Sequence, residues 1–207
     1  MTPVPIEDWA DRLEAAIART PGCCVDQVVV IAETASTQDA ALAHAGARPG
    51  LLVVAGRQTA GRGQHGRAWE DTADAGLAMT FALPDDGRES AELAAIGGIA
   101  ARDAVSRVAP GAVLRLKRPN DVLAVGPDGV ARKIAGVLIE RRGGLTLIGV
   151  GINVAQRAWA GDLGDRAVSL AQLGVAADRI DVAEVLVGAM SVAITLDARA
   201  IEVRWGS

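Results

Sequence analysis

Residues 56–69 combine residue types suited to holding a small anion. The segment contains four glycines and three arginines, and it directly follows an apolar run at residues 51–55 that is typical of a buried strand. Glycine allows a backbone to approach a ligand closely, and arginine offers planar donors that match carboxylate and phosphate. This segment, the glycine loop, has little to bury, so we expect it to be mobile until a ligand holds it. It predicts a cationic loop that closes over an anion, with a solvated surface turn as the alternative.

Three of these glycines, Gly61, Gly63 and Gly66, match the G-x-G-x-x-G pattern of dinucleotide-binding proteins. That pattern requires a helix to begin at the third glycine. The residues after Gly66 lack an apolar helical stripe, and residues 77–83 have the composition of another strand. We therefore do not expect a dinucleotide site.

Lysine is rare in this chain, which makes its two positions informative. All of the 21 basic residues except Lys117 and Lys133 are arginines. A lysine ammonium is a compact charge suited to a developing oxyanion. Lys117 ends an apolar run, where a charge is costly unless an anion meets it. A salt bridge from Lys117 to Asp121 or an exposed strand end is the alternative, and for Lys133 alone chance retention explains the observation equally well.

Two more polar segments adjoin apolar ones. Ser36 or Thr37 is expected to cap a helix over residues 38–45, because a hydroxyl can accept from an unpaired amide of the first turn. The same hydroxyls also suit a polar pocket wall. Gly149 and Gly151 lie within an apolar run, where glycine permits close approach by a ligand or forms a bulge.

The elements that must position these residues follow from the apolar periodicity. Helices are predicted at residues 6–19, 38–45, 90–108, 165–174 and 181–196, the last capped by Asp181. Strands are predicted at residues 28–32, 51–55, 77–83, 113–117, 121–125, 133–140 and 145–154. A helix followed by several consecutive strands favours an α+β domain, with a mixed β-sheet and helices packed on one face.

The composition favours a soluble intracellular protein of one domain. The chain has 207 residues, half of them apolar, which is enough for a substantial core. No stretch resembles a membrane span or a secretory leader. The net charge of −4, with four tryptophans and one phenylalanine as the aromatic residues, argues against a nucleic-acid module. The adjacent Cys23 and Cys24 are expected to be reduced thiols, because a bond between neighbours would be strained.

Five segments together resemble the motifs of biotin–protein ligases, in the order and at the spacing of that family. These segments are residues 36–38, 58–67, 117–121, 133–140 and 149–153. The resemblance implies a fold like the catalytic domains of biotin ligases and class II aminoacyl-tRNA synthetases. It places this domain at residues 1–196, with residues 197–207 as a remnant of the family's C-terminal β-barrel and with no DNA-binding N-terminal domain.

The resemblance also implies an activity. Biotin and ATP, with Mg²⁺, would give biotinyl-5′-adenylate and pyrophosphate, and the biotinyl group would pass to a lysine of a biotin carboxyl carrier domain. Such an enzyme would be cytoplasmic, without a DNA or membrane partner, and a monomer or weak homodimer.

Site residues follow from the same resemblance. It implies catalytic roles for Lys117 and Arg62. It implies biotin-binding roles for Ser36, Thr37, Gln38, Gln58, Gly61, Arg62, Gly63, Gln64, Lys117, Gly149 and Gly151. It implies ATP- or adenylate-binding roles for Arg62, Arg67, Trp69, Asn120, Lys133 and Asn153. Asp121 is the candidate magnesium ligand, with Asn120 as the alternative.

The chain departs from the family pattern at two positions of these motifs. Gln64 stands where an arginine is usual, which removes a charge that helps to retain the adenylate, so we expect a leakier intermediate. Arg118 replaces the usual tryptophan after Lys117, which removes an aromatic wall.

Two other functions fit part of the pattern. A lipoate–protein ligase shares the fold and the adenylation chemistry, although the arginine-rich glycine loop favours biotin. A truncated ligase that binds biotin with little transfer activity is the second alternative, and it would bind biotin without releasing pyrophosphate.

Overall fold

Seven strands form where the apolar runs of the sequence predict them. The computed structural model describes residues 3–46, 48–70 and 75–206. In these ranges the strands are β1 (Gln27–Thr34), β2 (Leu51–Gln58), β3 (Gly76–Pro84), β4 (Leu114–Lys117), β5 (Asp121–Val125), β6 (Ala131–Arg142) and β7 (Leu145–Asn153).

The strands form one mixed sheet in the order β1-β2-β3-β7-β6-β5-β4. β1 and β2 are parallel, and every other neighbouring pair is antiparallel. β6 and β7 form the predicted hairpin, whose turn contains Gly143 and Gly144 at φ angles of 59° and 77°. Only glycine adopts such angles without strain, so the turn residues fix this hairpin's register.

Helices cover both faces of the sheet. They are α1 (Trp9–Arg19), α2 (Thr37–Ala45), α3 (Ser90–Val108), α4 (Arg179–Ala193) and α5 (Ala198–Trp205). Alternate residues of β2 face opposite ways, so Leu52 packs with α1, α3 and α4 in the main core, whereas Val53 packs with α2. The α+β class and the mixed sheet are confirmed, with α2 added on the second face. None of the helices within the described ranges is long and apolar enough to cross a membrane.

Two details of the second half differ from the sequence prediction. A helix at residues 165–174 is wrong, because the Lys133 amide donates to the Arg166 carbonyl and the Lys133 carbonyl accepts from Val168, which holds this segment extended beside β6. Only short 3-10 turns form here, at Gly161–Asp165 and Ala171–Leu173. The cap of α4 is Asp178 rather than Asp181, because the helix begins at Arg179.

The C-terminal segment is a helix that joins the main core. Asp197 caps α5 by accepting from the Ala200 amide at 2.7 Å. Ile201 and Trp205 are buried, and a Cβ on Gly98 of α3 would lie 3.0 Å from the Trp205 ring. The close approach of α5 to α3 therefore depends on glycine. A division of the chain at residue 196 stays a prediction.

Candidate functional site

The polar residues of the motifs gather over the α2 face of the sheet, where glycines leave room for them. A Cβ on Gly149 would lie 2.5 Å from the Gln38 amide, and one on Gly151 would lie 2.5 Å from the Trp69 ring. A Cβ on Gly136 would lie 2.6 Å from the Lys133 ammonium. Absence of a side chain on these β6 and β7 glycines thus lets three functional side chains lie directly on the strands.

Two neighbouring cavities open over this surface. The first is lined by Ser36, Thr37, Gln38, Gln58, Arg62, Gly63, Gln64, Trp69, Ala78, Met79, Asn120, Lys133, Gly136, Val137, Leu138, Gly149, Val150 and Gly151. The second is lined by Arg67, Ala68, Trp69, Glu70, Lys117, Asp121, Leu123, Ala131, Arg132, Lys133, Asn153, Trp159, Leu163, Asp165, Arg166 and Ala167. Trp69 and Lys133 line both, so they form the boundary between the cavities.

A hydroxyl–amide network forms one wall of the first cavity. Ser36 caps α2 by accepting from the Gln38 amide at 3.3 Å, as expected. The Gln58 side-chain oxygen accepts from the Thr37 amide at 2.8 Å and from the Thr37 hydroxyl at 3.1 Å. Thr80 on β3 donates to the Thr37 hydroxyl at 2.8 Å. These bonds fix the orientation of the wall before any ligand arrives.

Gln38 carries an unsatisfied acceptor in this wall. Its side-chain nitrogen donates to the Leu138 carbonyl at 2.9 Å, and only 3% of the residue is exposed. Its Oε1 atom is buried and has no hydrogen-bond partner in the part of the chain that the structure describes. An unpaired buried acceptor is costly, so the position suits a ligand with an N–H donor.

The glycine loop closes on itself as a small hairpin. Arg62 pairs with Ala68, the Trp69 amide donates to the Gly61 carbonyl at 2.9 Å, and the Gly63 amide donates to Arg67 at 2.7 Å. Main-chain bonds thus join the two arms of the loop, and its mobility before a ligand binds stays a prediction. Gly66 is followed by extended backbone rather than a helix, as expected from the rejected dinucleotide pattern.

Gly61 supports this hairpin from below rather than lining the first cavity. A Cβ at Gly61 would lie 2.7 Å from the Trp69 carbonyl oxygen. Only glycine therefore allows the two arms of the hairpin to come together. Gly63 and Gln64 follow it along the chain and do line the first cavity.

Arg62 directs four hydrogen bonds to two carboxylates. Its guanidinium donates to Asp39 at 2.6 and 3.0 Å and to Glu140 at 3.2 and 3.4 Å. Arg142 also contacts Asp39, at 2.6 Å, and Glu140, at 2.5 Å. Hydrogen bonds from Arg62 and then from Arg142 lower the pKa of Asp39 to about 2, and the bonds from Asp39 and Glu140 raise the pKa of Arg62.

The sequence analysis assigned no role to Asp39, Glu140 or Arg142. The sequence did contain a signal for two of these residues. Asp39 directly follows the 36–38 motif, and Glu140 ends the 133–140 motif. Arg142 lies two residues beyond Glu140 on the same strand, and alternate strand residues share a face.

The two lysines occupy different positions. Lys133 places its ammonium 2.6 Å from the Asp121 carboxylate and 5.5 Å from the centre of the Trp69 ring, on the boundary of both cavities. Lys117 is exposed and lines only the second of the two cavities. Arg62 and Lys117, expected at one cavity, therefore lie at neighbouring ones, and Lys133 is the cation between them.

The two asparagines hold main-chain segments in place. Asn120 lines the first cavity and donates to the Val137 carbonyl at 2.7 Å. Asn153 lines the second and donates to the carbonyls of Lys133 and Val168 at 3.2 and 3.1 Å. Asn153 thus fixes the backbone of the lysine at the boundary.

Arg118 lies away from both cavities. It contacts both carboxylate oxygens of Glu202 at 2.7 Å and lies 5.5 Å from the Trp205 ring, so it links the turn between β4 and β5 to α5. The departure from tryptophan at this position therefore serves a contact with the C-terminal helix.

A divalent cation would find carboxylates in the second cavity, which Glu70, Asp121 and Asp165 line. Asp121 lines the second cavity, but no group of three His, Cys, Asp or Glu side chains that could hold a metal ion occurs among residues 3–46, 48–70 and 75–206. One carboxylate together with ligand phosphates is a usual environment for Mg²⁺.

This fold matches those of proteins of known structure. The biotin protein ligase from Aquifex aeolicus in complex with biotin and ATP superposes with a TM-score of 0.69 and 29% identity, covering 81% of this chain and 70% of that chain. The biotin protein ligase from Leishmania major in complex with biotinyl-5-AMP gives a TM-score of 0.72 and 26% identity, covering 88% and 81%.

Comparison at the level of sequence also finds biotin ligases. Biotin–[acetyl-CoA-carboxylase] ligase of Mycobacterium tuberculosis is 39% identical over 161 residues, which cover 73% of this chain and 57% of that protein. The chain spans about half the length of the curated relatives that it matches. The model of the biotin/lipoate A/B protein ligase family matches residues 29–156, from β1 to just beyond β7. With more than half of its length in this match, the chain belongs to the biotin/lipoate A/B protein ligase family.

Proposed function

We propose that this chain is an ATP-dependent biotin ligase, which forms biotinyl-5′-adenylate and transfers the biotinyl group to a lysine of a biotin carboxyl carrier domain. The observation that carries the proposal is the pair of adjoining cavities with the Lys133 ammonium on their common boundary. A reaction that joins a carboxylate to a nucleotide phosphate needs two such compartments and a cation where they meet.

The first cavity fits biotin. The bicyclic ring has two ureido N–H donors and one carbonyl acceptor, and the wall of Thr37, Gln38 and Gln58 offers both kinds of partner. The unsatisfied Gln38 oxygen would accept one ureido N–H. Gly149 and Gly151 let Gln38 and Trp69 lie against the strands that line this cavity, and the carboxylate tail would point to the boundary at Lys133.

The second cavity fits ATP. Arg67 and Lys117 supply cations for the phosphates, and the Trp69 ring offers a flat surface at the boundary. Asp121 is the one carboxylate we assign to Mg²⁺, which would neutralise phosphate charge when it is bound with ATP.

Lys133 would act on the step that joins the two substrates. A biotin carboxylate oxygen attacks the α-phosphorus of ATP, the bond to the β-phosphate bridging oxygen breaks, and pyrophosphate leaves without a proton transfer. Two anions must approach each other for this to occur. The ammonium, held in place by Asp121 and by the Trp69 ring, offsets their repulsion and the charge that develops on the phosphorus.

The second step consumes the mixed anhydride. The neutral amine of the acceptor lysine attacks the carbonyl carbon of biotinyl-5′-adenylate, AMP departs with the electrons of the carbon–oxygen bond, and the nitrogen loses a proton as the amide forms. Closure of the glycine loop would keep water from the anhydride until the carrier arrives.

We place this activity in the cytoplasm, in a monomer or weak homodimer. Free Cys23 and Cys24 support a reducing compartment. The acceptor is a carboxylase carrier domain, in line with the name of the Mycobacterium tuberculosis relative.

Calorimetry with biotin, repeated with ATP and Mg²⁺, tests the proposal. We expect biotin to bind, and pyrophosphate to be released only when biotin, ATP and Mg²⁺ are all present. Addition of a biotin carboxyl carrier domain should then give a biotinylated lysine by mass spectrometry. A preference for lipoate in a competition assay would favour a lipoate ligase, and biotin binding without pyrophosphate release would favour a binding protein.

A further inference from the structure

Four charged side chains form a closed network beside the first cavity. This charged network consists of Arg62 on the glycine loop, Asp39 in the first turn of α2, and Glu140 and Arg142 on β6. Each arginine contacts both carboxylates, at N···O distances between 2.5 and 3.2 Å. The network therefore joins three separate elements around the loop.

The geometry leaves Arg62 little capacity to bind a substrate anion. A guanidinium has five N–H donors in a fixed plane. Four hydrogen bonds from Arg62 already reach Asp39 and Glu140. A biotin carboxylate or an adenylate phosphate would have to displace one of two carboxylates from Arg62, whereas Lys133, which contacts the single carboxylate of Asp121, lies on the cavity boundary itself.

The chain on either side of Arg62 is what faces the ligand. Gly63 and Gln64 line the first cavity directly after Arg62, and Gly61 underlies Trp69 directly before it. Anchoring the Arg62 side chain to α2 and β6 therefore sets the position of the loop main chain over the cavity.

We propose that Asp39, Glu140 and Arg142 are positioning residues, which fix Arg62 as a structural anchor and so hold the glycine loop closed over biotin. This inference rests on the proposed function, because it takes biotin as the occupant of the first cavity. Since 34% of the Arg62 side chain and 43% of the Asp39 side chain are exposed, the network adds little to overall stability. Its effect lies in the rate at which the loop opens and biotin leaves.

A matched arginine–carboxylate cluster elsewhere in the chain provides the control. Arg12 on α1 donates to Asp181 at 2.8 Å and to Glu184 at 2.8 and 2.9 Å. The exposed side-chain fractions are 33%, 46% and 22%, against 34%, 43% and 19% for Arg62, Asp39 and Glu140. Asp181, like Asp39, lies in the first turn of a helix, but α1 and α4 cover the opposite face of the sheet.

The test compares the dissociation rate of biotin, without ATP, in Asp39→Asn, Glu140→Gln and Asp181→Asn. We expect the first two to release biotin about tenfold faster, the effect of losing about 1.4 kcal/mol. Asp181→Asn should match the wild-type rate. Combining Asp39→Asn with Arg62→Gln should add little to Arg62→Gln alone, because both changes break the same anchor.

Slower release of biotin from the Asp39→Asn variant would overturn the inference. If Arg62 binds the substrate anion directly, removing Asp39 frees the guanidinium, so biotin would bind more tightly to Asp39→Asn and leave more slowly. An unchanged rate in both Asp39→Asn and Glu140→Gln would equally contradict a positioning role. Wild-type calorimetry separates this failure from failure of the proposed function, since a wild-type chain that does not bind biotin refutes the function itself.

Discussion

Lys133 shows how a residue can be recognised from the sequence while its position in the site is not. Its rarity among the basic residues marked it, and Lys117, at a strand end beside Asp121, looked more suited to the reacting groups. The fold places the two lysines differently. Lys133 faces Gly136 on the strand surface between the two cavities, whereas Lys117 is exposed on the edge strand β4. Which of two lysines reaches the substrates depends on sheet order, which local sequence does not contain.

We predict that Lys133→Met slows biotin adenylation more than Lys117→Met does. Loss of a charge aimed at the developing transition state costs about 3 kcal/mol, or roughly a hundredfold in rate. An exposed charge at the edge of the site is screened by solvent, so Lys117→Met should cost under about tenfold. Biotin-dependent pyrophosphate release measures both. A larger loss in Lys117→Met would return the central role to Lys117.

Asp39 should make stability depend on pH in the acid range. Its pKa is about 2 in the folded chain because Arg62 and Arg142 donate to it, and an unpaired aspartate titrates near about 3.9. The stabilising contribution is therefore complete above about pH 4 and is lost as the pH falls towards 2. Because 43% of the Asp39 side chain is exposed, this contribution is small, under about 1 kcal/mol. Urea midpoints of the wild type and Asp39→Asn should therefore differ slightly at about pH 6 and converge at about pH 2. A difference that does not change with pH would show that Asp39 is not charge-paired.

At the scale of elements, two glycines within helices differ in how much space surrounds them. A Cβ on Gly97 of α3 would lie 2.7 Å from a methyl group of Val137 on β6, whereas the nearest atom to a Cβ on Gly188 of α4 is 4.0 Å away. Both positions are within helices, where alanine is intrinsically favoured. Packing against the sheet therefore decides whether replacing Gly97 by alanine raises or lowers the free energy of unfolding.

We predict that Gly188→Ala stabilises the protein by about 0.5–1 kcal/mol, and that Gly97→Ala destabilises it by about 1–3 kcal/mol through overpacking. Chemical denaturation of the two variants measures the free energies of unfolding. Stabilisation by Gly97→Ala would mean that α3 moves freely away from β6.

Elements with strong local signals were predicted well. The apolar spacing of α3 and the Pro110-Gly111 pair after it gave both ends of that helix. The turn glycines gave the β6–β7 hairpin. Segments whose conformation is set by partners distant in the chain were missed, such as residues 166–168, which bond to Lys133. The same holds in the site, where the motifs located the hydroxyl–amide wall but not the charged network, whose members lie 23 and 78 residues from Arg62.

At the scale of the whole molecule, the main core and the candidate site lie on opposite faces of one sheet. Large apolar side chains with α1, α3 and α4 form the main core on one face, and glycines with α2 form the site on the other. The candidate site is thus backed by the main core. α5 contributes to the core side through Trp205, and its Glu202 and Trp205 contact Arg118 in the turn between β4 and β5.

We predict that α5 unfolds together with the rest of the domain. Trp205 is 8% exposed, and replacing a buried tryptophan by alanine costs about 3–5 kcal/mol. In a chain of this size the melting temperature should fall by roughly 6–20 °C, with a single transition retained. Val203→Ala is the control, because this residue of the same helix is 66% exposed and the change should lie within about 0.5 kcal/mol. If α5 were an independent C-terminal remnant, Trp205→Ala would leave the main transition in place. A thermal melt followed by circular dichroism distinguishes the two outcomes and so tests the division at residue 196.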